Sequence, residues 1–220
     1  NRKKVSNKIS FSKESLDYYS RLGYDVNQIP NGIDLSTFEQ KSDRRYDKQI
    51  IYAARLSKEK GIFDVLQMSK KLPKDIHLII LGNGPEKNKV EAISSTNPNV
   101  HYLGSKAKEE TIPLIRGSDL LIQPSLMEGG ISYTLLESMA CHTPVICTTA
   151  GDGKEFFKHL ENSFLIKPEN HSQLLNAIEE LFLNEEKRKK LSESAFNSIK
   201  IFSWKNIGQK YLDLYELLIS

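Results

Sequence analysis

"LLIQPSLMEGGISYTLLESMACHTPVICT", residues 120–148, reads as strand, loop, helix and strand in succession. Its two β-rich ends, 120–124 and 144–148, are apolar in nearly unbroken runs rather than alternating. Runs of that kind predict strands covered on both faces, and therefore a parallel sheet. Between them, Glu128, Gly129 and Gly130 stand in a loop that empties into a helix-like stretch over 131–141. Such a loop offers backbone N–H groups and the positive end of a helix dipole to whatever lies in front of it. It is a place for an anion.

Outward from this unit the same grammar repeats. Further strands are expected at "QIIYAA" (49–54), "IHLIIL" (76–81), "VHYL" (100–103) and "FLI" (164–166). The segments between them carry apolar residues at three- and four-residue steps. Ile62, Val65, Leu66, Ser69 and Leu72 make one face, and Leu174, Ile178, Leu181 and Phe182 another. Six βα units with short connections predict an α/β, doubly wound parallel sheet of Rossmann-like type.

The two ends differ. Ser12 opens a helix-like segment with Glu14 in its first turn and Gly23 as its stop. After "VNQIPNGIDLSTF" a charge-mixed stretch from Glu39 to Lys48 reads as loop. The far end reads as three helices, roughly 170–183, 185–201 and 203–219. In the second, Glu185–Lys189 and Glu186–Lys190 are favourable pairs one turn apart, so "EEKRKK" is a solvated face. The last carries Trp204, Ile207, Tyr211, Leu214 and Leu218 in one stripe that something must cover.

Composition narrows the function classes. Hydrophobic residues make up 39% and charged residues 27% of the 220, as in ordinary globular proteins. A net charge of +3 gives no argument for a nucleic-acid partner. No apolar run reaches the roughly 20 residues of a membrane span, and the polar start "NRKKVSNKIS" is no signal peptide. The first residue is Asn rather than Met, which leads to the expectation of a fragment or processed form. Cys141 and Cys147 belong to no metal-ligand spacing and are expected to be reduced and buried, in cytosolic style. His142, His159 and His171 form no cluster, and His77 and His101 are expected as satisfied core or edge residues of strands.

Ligands of an open parallel sheet bind beyond the carboxyl ends of its strands, at the switch in strand order. Residues following each strand are therefore the candidates. "ARLSKEKG" brings Arg55 and, five positions on, Lys60; "LGNGPE" is a turn whose glycines admit a ligand to the backbone; then come "LGSK", "PSLMEGG" and "TTAGDGKE". A diphosphate suits this set. Arg55 would grip oxygens in a fork, Lys60 would act as a point charge, and the amides after Gly130 would complete the cradle. Singly, each feature has a plain reading as surface cation, common turn or solvent-facing carboxylate; the joint occurrence, each after its own strand, carries the phosphate reading.

The ordered set "PNGID", "ARLSKEKG", "LGNGPE", "DLLIQPS", "EGG", "LLESMA", "PVI" and "FSWKNIGQKYLDLYELL" resembles the retaining glycosyltransferases of GT-B fold, family 4 (group 1), over nearly the whole chain. The resemblance implies that residues 41–220 are the nucleotide-sugar-binding domain with its C-terminal helices. It implies that residues 1–40 are the end of an N-terminal domain plus the interdomain linker. By position, Arg55 and Lys60 match the family's diphosphate-holding pair, and Leu103 and Gly104 fall where its backbone meets the nucleobase. Gly130, Ile131, Ser132 and Thr134 belong to the donor-binding helix start. Glu137 matches the carboxylate that takes the ribose hydroxyls, and Glu128 the catalytic one near the transferred sugar. The step between the two glutamates is nine, one longer than the family pattern. His142 stands where a helix-ending Gly is usual, a place His can occupy at positive φ, and Asn83 replaces a common Asp.

The expected activity is hexosyl transfer with retention, from a nucleotide-diphospho-sugar to a saccharide or lipid-linked acceptor held by an N-terminal domain not encoded here, in polysaccharide assembly. No cofactor, metal or nucleic acid is expected. The expected location is cytoplasmic, with peripheral contact to the inner face of a membrane. Two other functions compete: a GT-B-like sugar-nucleotide epimerase, and a non-catalytic nucleotide- or sugar-phosphate-binding module.

Overall fold

The computed structural model describes residues 7–39, 41–151 and 153–219, the side chain of Asn7 excepted. Residues 1–6 of the polar start, Gln40 at the expected domain boundary, Asp152 of "TTAGDGKE" and Ser220 lie outside the described residues.

All six strands expected from apolar runs form one sheet: β3 (Gln49–Ala53), β4 (His77–Leu81), β5 (Val100–Gly104), β6 (Leu120–Gln123), β7 (Val145–Thr148) and β8 (Phe164–Ile166). Every pairing is parallel, in the order β5-β4-β3-β6-β7-β8. The chain reaches one edge at β5 and then crosses back to lay β6 beside β3. The order therefore reverses between β3 and β6, which is where a doubly wound sheet opens its ligand crevice.

The unbroken apolarity of the strands follows from burial on both faces. Ile51, Ala53, Ile79, Leu121 and Val145 join one core with residues of α4 (Lys108–Arg116), α5 (Tyr133–Ala140) and α9 (Trp204–Ile219). Ile50, Tyr52, Leu78, Ile80 and Ile122 join the other with α2 (Ile62–Ser69), α3 (Lys87–Thr96) and α7 (His171–Leu183). A fully buried Ile or Leu contributes about 1.5–3 kcal/mol of transfer free energy, so these two layers carry most of the fold. A short helix, α6 (Gly153–Phe156), precedes β8.

Helix α8 (Glu185–Ser198) ends earlier than the periodicity predicts. The chain tightens into a 3-10 turn at Ile199–Phe202, which drives Ile199 and Phe202 into the core before α9 begins. Glu185 and Lys189 pair at 2.6 Å on the exposed side of α8. The α9 stripe is divided. Ile207 and Leu214 are buried in this chain and Tyr211 packs against them, whereas Trp204 and Leu218 stay exposed.

Before the main sheet, β1 (Asn7–Ser10) and β2 (Asp25–Gln28) pair in parallel around α1 (Lys13–Arg21). Ser12 caps α1 by accepting from the Ser15 amide, and Gly23 follows at φ 79°. "PNGID" is tied to the start of α9: the Ile33 amide donates to Phe202 O, and the Trp204 amide to Ile33 O. No helix among the described residues is long and apolar enough to cross a membrane.

Candidate functional site

Three loops meet beyond the carboxyl ends of β3, β4 and β6. The first leaves β3 at Ala54, carries Arg55, and closes in a 3-10 turn at Lys58–Lys60 just before α2. The fully buried Tyr52 lies beneath it. Its hydroxyl is within hydrogen-bonding distance of Arg55 O (3.2 Å) and Lys60 O (3.1 Å), so one core residue reaches both ends of the segment bearing the cations. Gly61 ends the turn at φ 71°, and any Cβ there would overlap the Pro124 carbonyl oxygen. Leu126 N donates to Glu59 O at 2.7 Å, locking the β3 loop to the β6 loop.

The second loop, after β4, approaches the first at backbone level. Leu56 N donates to Asn83 O, and Glu86 N to Leu56 O. Gly82, at φ 131°, has no room for a side chain against the Ala54 carbonyl. Asn83 turns its own side-chain oxygen onto the Gly84 amide at 2.8 Å.

An open cavity of about 340 Å³ lies between these loops, walled by Ala54, Arg55, Gly82, Asn83, Lys106 and Thr134 among others. Arg55 is exposed, and its guanidinium makes no hydrogen bond or ion pair among the described residues. Leu103 and Gly104 sit just behind this wall: Gly104 O accepts from the Gly82 amide, and the next residues, Ser105 and Lys106, face the cavity.

Lys60 and Glu128 do not line that cavity; they meet each other. Lys60 Nζ lies 2.6 Å from Glu128 Oε2, with the carboxylate side chain 10% exposed. The other oxygen, Oε1, accepts from Gln123 Nε2 at 2.8 Å. Gln123 Oε1 in turn accepts from Ser132 Oγ at 3.1 Å. Ser132 is the N-cap of α5 and gives its helix no side-chain cap. The first amides of α5 have no intrahelical partner by construction, so they remain open to an anion. Gly130 runs under the Phe11 carbonyl, and Ile131 packs into a second cavity of about 330 Å³ with Phe11, Pro30, Phe156 and Phe202.

Glu137, one turn into α5, is 15% exposed and pairs with Lys108 at 3.2 Å. Burial pushes its carboxyl above the ordinary range, and Lys108 opposes that shift. Sequence reading missed Lys108, Gln123 and Tyr52. Only Gln123 left a signal, as the polar residue in the apolar run "LLIQP".

The remaining expectations resolve outside this region. Cys141 and Cys147 are free and buried, with burial raising both thiols to about 12. His142 takes φ 58° after α5 and stacks on Phe196. His77 and His101 form a stack with Tyr46, at the opposite end of the sheet from the cavity.

A family model described as "Glycosyl transferases group 1" matches residues 36–198. Among similar curated proteins, an uncharacterized glycosyltransferase of Methanocaldococcus jannaschii is 25% identical over 210 residues, covering 89% of this chain and 54% of its own. A phosphatidyl-myo-inositol mannosyltransferase of Mycobacterium leprae is 21% identical over 203 residues, with the same 89% and 54% shares. The chain spans about half the length of the curated relatives it matches. Among solved structures, Anabaena HepE in complex with UDP and glucose superposes with a TM-score of 0.85 at 21% identity, over 96% of this chain and 63% of that one. The C-terminal domain of the group 1 family protein LpcC of Francisella tularensis gives 0.67 at 22% identity, over 76% of this chain and 96% of that one. At these identities the structural likeness speaks to the fold.

Proposed function

Since the chain belongs to the group 1 glycosyltransferases, we propose that it is the donor-binding half of a retaining, family 4 hexosyltransferase that takes its sugar from a nucleoside diphosphate. One observation carries this reading. At the reversal of strand order, an unpaired Arg55 and the open start of α5 face one cavity, with Lys60 on the same loop. That HepE is solved with UDP and with UDP-glucose supports a uridine nucleotide as the first donor to test.

In the proposed reaction the bond from sugar C1 to the diphosphate breaks, and its electron pair leaves on the phosphate oxygen. The acceptor hydroxyl oxygen bonds to C1 on the same face, and its proton departs with the nucleoside diphosphate. Charge grows on the leaving diphosphate in the transition state. Arg55, Lys60 and the α5 amides are fixed donors and cations for that charge, and pre-set groups of this kind need no reorganisation as the reaction proceeds. The proposal assigns the diphosphate charge to these groups and to no metal. Glu128, held on both oxygens, is assigned to the transferred sugar, and Glu137 to the ribose hydroxyls. Leu103 and Gly104 support the base from behind the cavity wall. Residues 41–220 would form the donor domain, and residues 1–40 the end of a second domain with its linker.

A saccharide or lipid-linked acceptor would be held by that second domain, at the inner face of a membrane, in polysaccharide assembly. Titrating UDP, GDP and ADP into the chain tests the reading: a millimolar or tighter Kd for one of them, weakened about tenfold or more by Arg55→Ala, is the expected result. Binding of none of the three would reject it.

A further inference from the structure

We propose that Gln123 is a positioning residue for this site: it draws the Ser132 hydroxyl away from the start of α5 and fixes one oxygen of Glu128. The proposal rests on the reading that the α5 N-terminus faces the donor diphosphate.

Gln123 is the last residue of β6 and is 2% exposed. Its neighbours along the strand, Leu121 and Ile122, are apolar and wholly buried, so an amide here costs desolvation that only full pairing can offset. Full pairing is what it has. Nε2 donates to Glu128 Oε1 at 2.8 Å and to Ser125 Oγ at 3.3 Å, and Oε1 accepts from Ser132 Oγ at 3.1 Å.

Two consequences follow for the groups around it. Glu128 has Gln123 on one oxygen and Lys60 on the other, so its carboxylate has a single orientation. The second consequence concerns α5. A serine at the N-cap ordinarily accepts from the second or third helical amide, here Thr134 or Leu135, and so uses up the donors an anion would need. Ser12, Asn170 and Asn184 cap their own helices in that way. Ser132 makes no such cap: it donates its proton to Gln123 Oε1, and that contact holds Oγ turned away from the amides its lone pairs would otherwise accept from. Gln123 thereby keeps the first turn of α5 uncapped and available.

The test is a cycle of Gln123→Met, Ser132→Ala and the double variant in the 220-residue chain. Methionine keeps the length of glutamine without its donor and acceptor, and Ser132→Ala keeps the backbone amide. Inorganic pyrophosphate serves as probe, because it carries the diphosphate without a choice of base. Gln123→Met is expected to weaken pyrophosphate about fivefold when Ser132 is present, the scale of one N-cap bond. In the Ser132→Ala background the same change is expected to cost under about twofold, since no hydroxyl remains to cap the helix. Amide exchange at Thr134 and Leu135, followed by NMR, is expected to slow in Gln123→Met and to return to the wild-type rate in the double variant. Loss of affinity that is equal in both backgrounds, or exchange that is indifferent to Gln123, would overturn the proposal. The exchange measurement decides the matter even if the wild-type chain binds no diphosphate, in which case the donor-site reading falls by itself.

Discussion

Lys60 Nζ lies 2.6 Å from Glu128 Oε2, joining the loop after β3 to the loop after β6 across the reversal in strand order. The lysine proposed for the donor diphosphate is therefore already paired with a carboxylate. A diphosphate must share Lys60 with Glu128, so removing the carboxylate charge leaves the full cation to the ligand. Glu128→Gln is expected to tighten UDP binding by about threefold or more. The same change is expected to abolish the sugar transfer proposed above. Calorimetry with UDP checks the first part; weaker binding in the variant would mean that Glu128 does not compete for Lys60.

Arg55 and Lys60 should separate on stability. Each replacement by Ala is expected to weaken nucleoside diphosphate binding by about 1.5–3 kcal/mol, with little change for the parent nucleoside. Arg55 is exposed and without an ion pair among the described residues, so its loss should leave the thermal midpoint unchanged. Lys60→Ala strands a 10% exposed carboxylate, at a cost of about 1–2 kcal/mol. Thermal melts beside the titrations decide it; a midpoint that falls equally in both variants would contradict the contrast.

Glu137 sets stability against binding. Its folded pKa is raised by burial, so its contribution is fully present below the unfolded value and is lost as pH rises through the folded value. At neutral pH the ionised carboxylate therefore weakens the fold. Glu137→Gln is expected to raise the thermal midpoint at pH 7 by roughly 1–3 °C. It should also lower nucleotide affinity and remove the distinction between ribo- and 2′-deoxyribonucleotides. A lower midpoint, or an undiminished preference for the ribose form, would remove Glu137 from this role.

How far the sequence could be read depends on the length scale of each feature. The six main strands are legible because Ile50–Tyr52, Leu78–Leu81 and Leu120–Ile122 are buried on both sheet faces, which leaves unbroken apolar runs. The β1–β2 pair is not, since "NKIS" and "DVNQ" hold one apolar residue each and their pairing is a backbone matter. Arg55, Lys60 and the 131–141 helix start could be placed because a parallel sheet directs every strand-end loop to one side. The Lys60–Glu128–Gln123–Ser132 chain could not, because it joins residues up to 68 positions apart through side-chain geometry alone. The α9 stripe was legible as a stripe, but that Ile207 and Leu214 would be covered within this same chain was not.

Acid should loosen the far end of the sheet. His77 Nδ1 and His101 Nε2 are 3.0 Å apart, and the Tyr46 hydroxyl lies 3.2 Å from His101 Nδ1. This chain is satisfied with both rings neutral, and two imidazolium ions would set N–H against N–H. Burial depresses His101 below its ordinary 6.5, with His77 and Arg45 adding to the effect. The unfolded chain therefore takes up its proton first. The associated stability is present above about pH 6.5 and is lost as pH falls from there through the depressed value. His101→Phe is expected to flatten the fall in denaturation midpoint between pH 7 and pH 5. An unchanged slope would show that the stack does not report acid.

The final prediction concerns turnover. On the proposed reading, donor binding needs the loops at the ends of β3, β4, β5 and β6, all of which belong to one sheet. Transfer needs more: the acceptor must be held against C1 in register, with water excluded, or the donor meets only solvent. The cavity beside Arg55 is open to solvent. The curated relatives run to about twice the matched length, which is room for a second wall. The surfaces it would rest on are apolar and exposed here: Phe11 (55% exposed) beside the site, and Trp204 (52%) with Leu212 (55%) on α9. On the two-domain reading proposed above, the 220-residue chain is expected to bind nucleotide and to transfer no sugar, while a form joined to an acceptor-binding domain is expected to do both. Incubation of each with a radiolabelled nucleotide-sugar and a membrane extract as acceptor source checks this. Transfer by the 220-residue chain would mean that the acceptor site is complete within it, and that the two-domain reading is wrong.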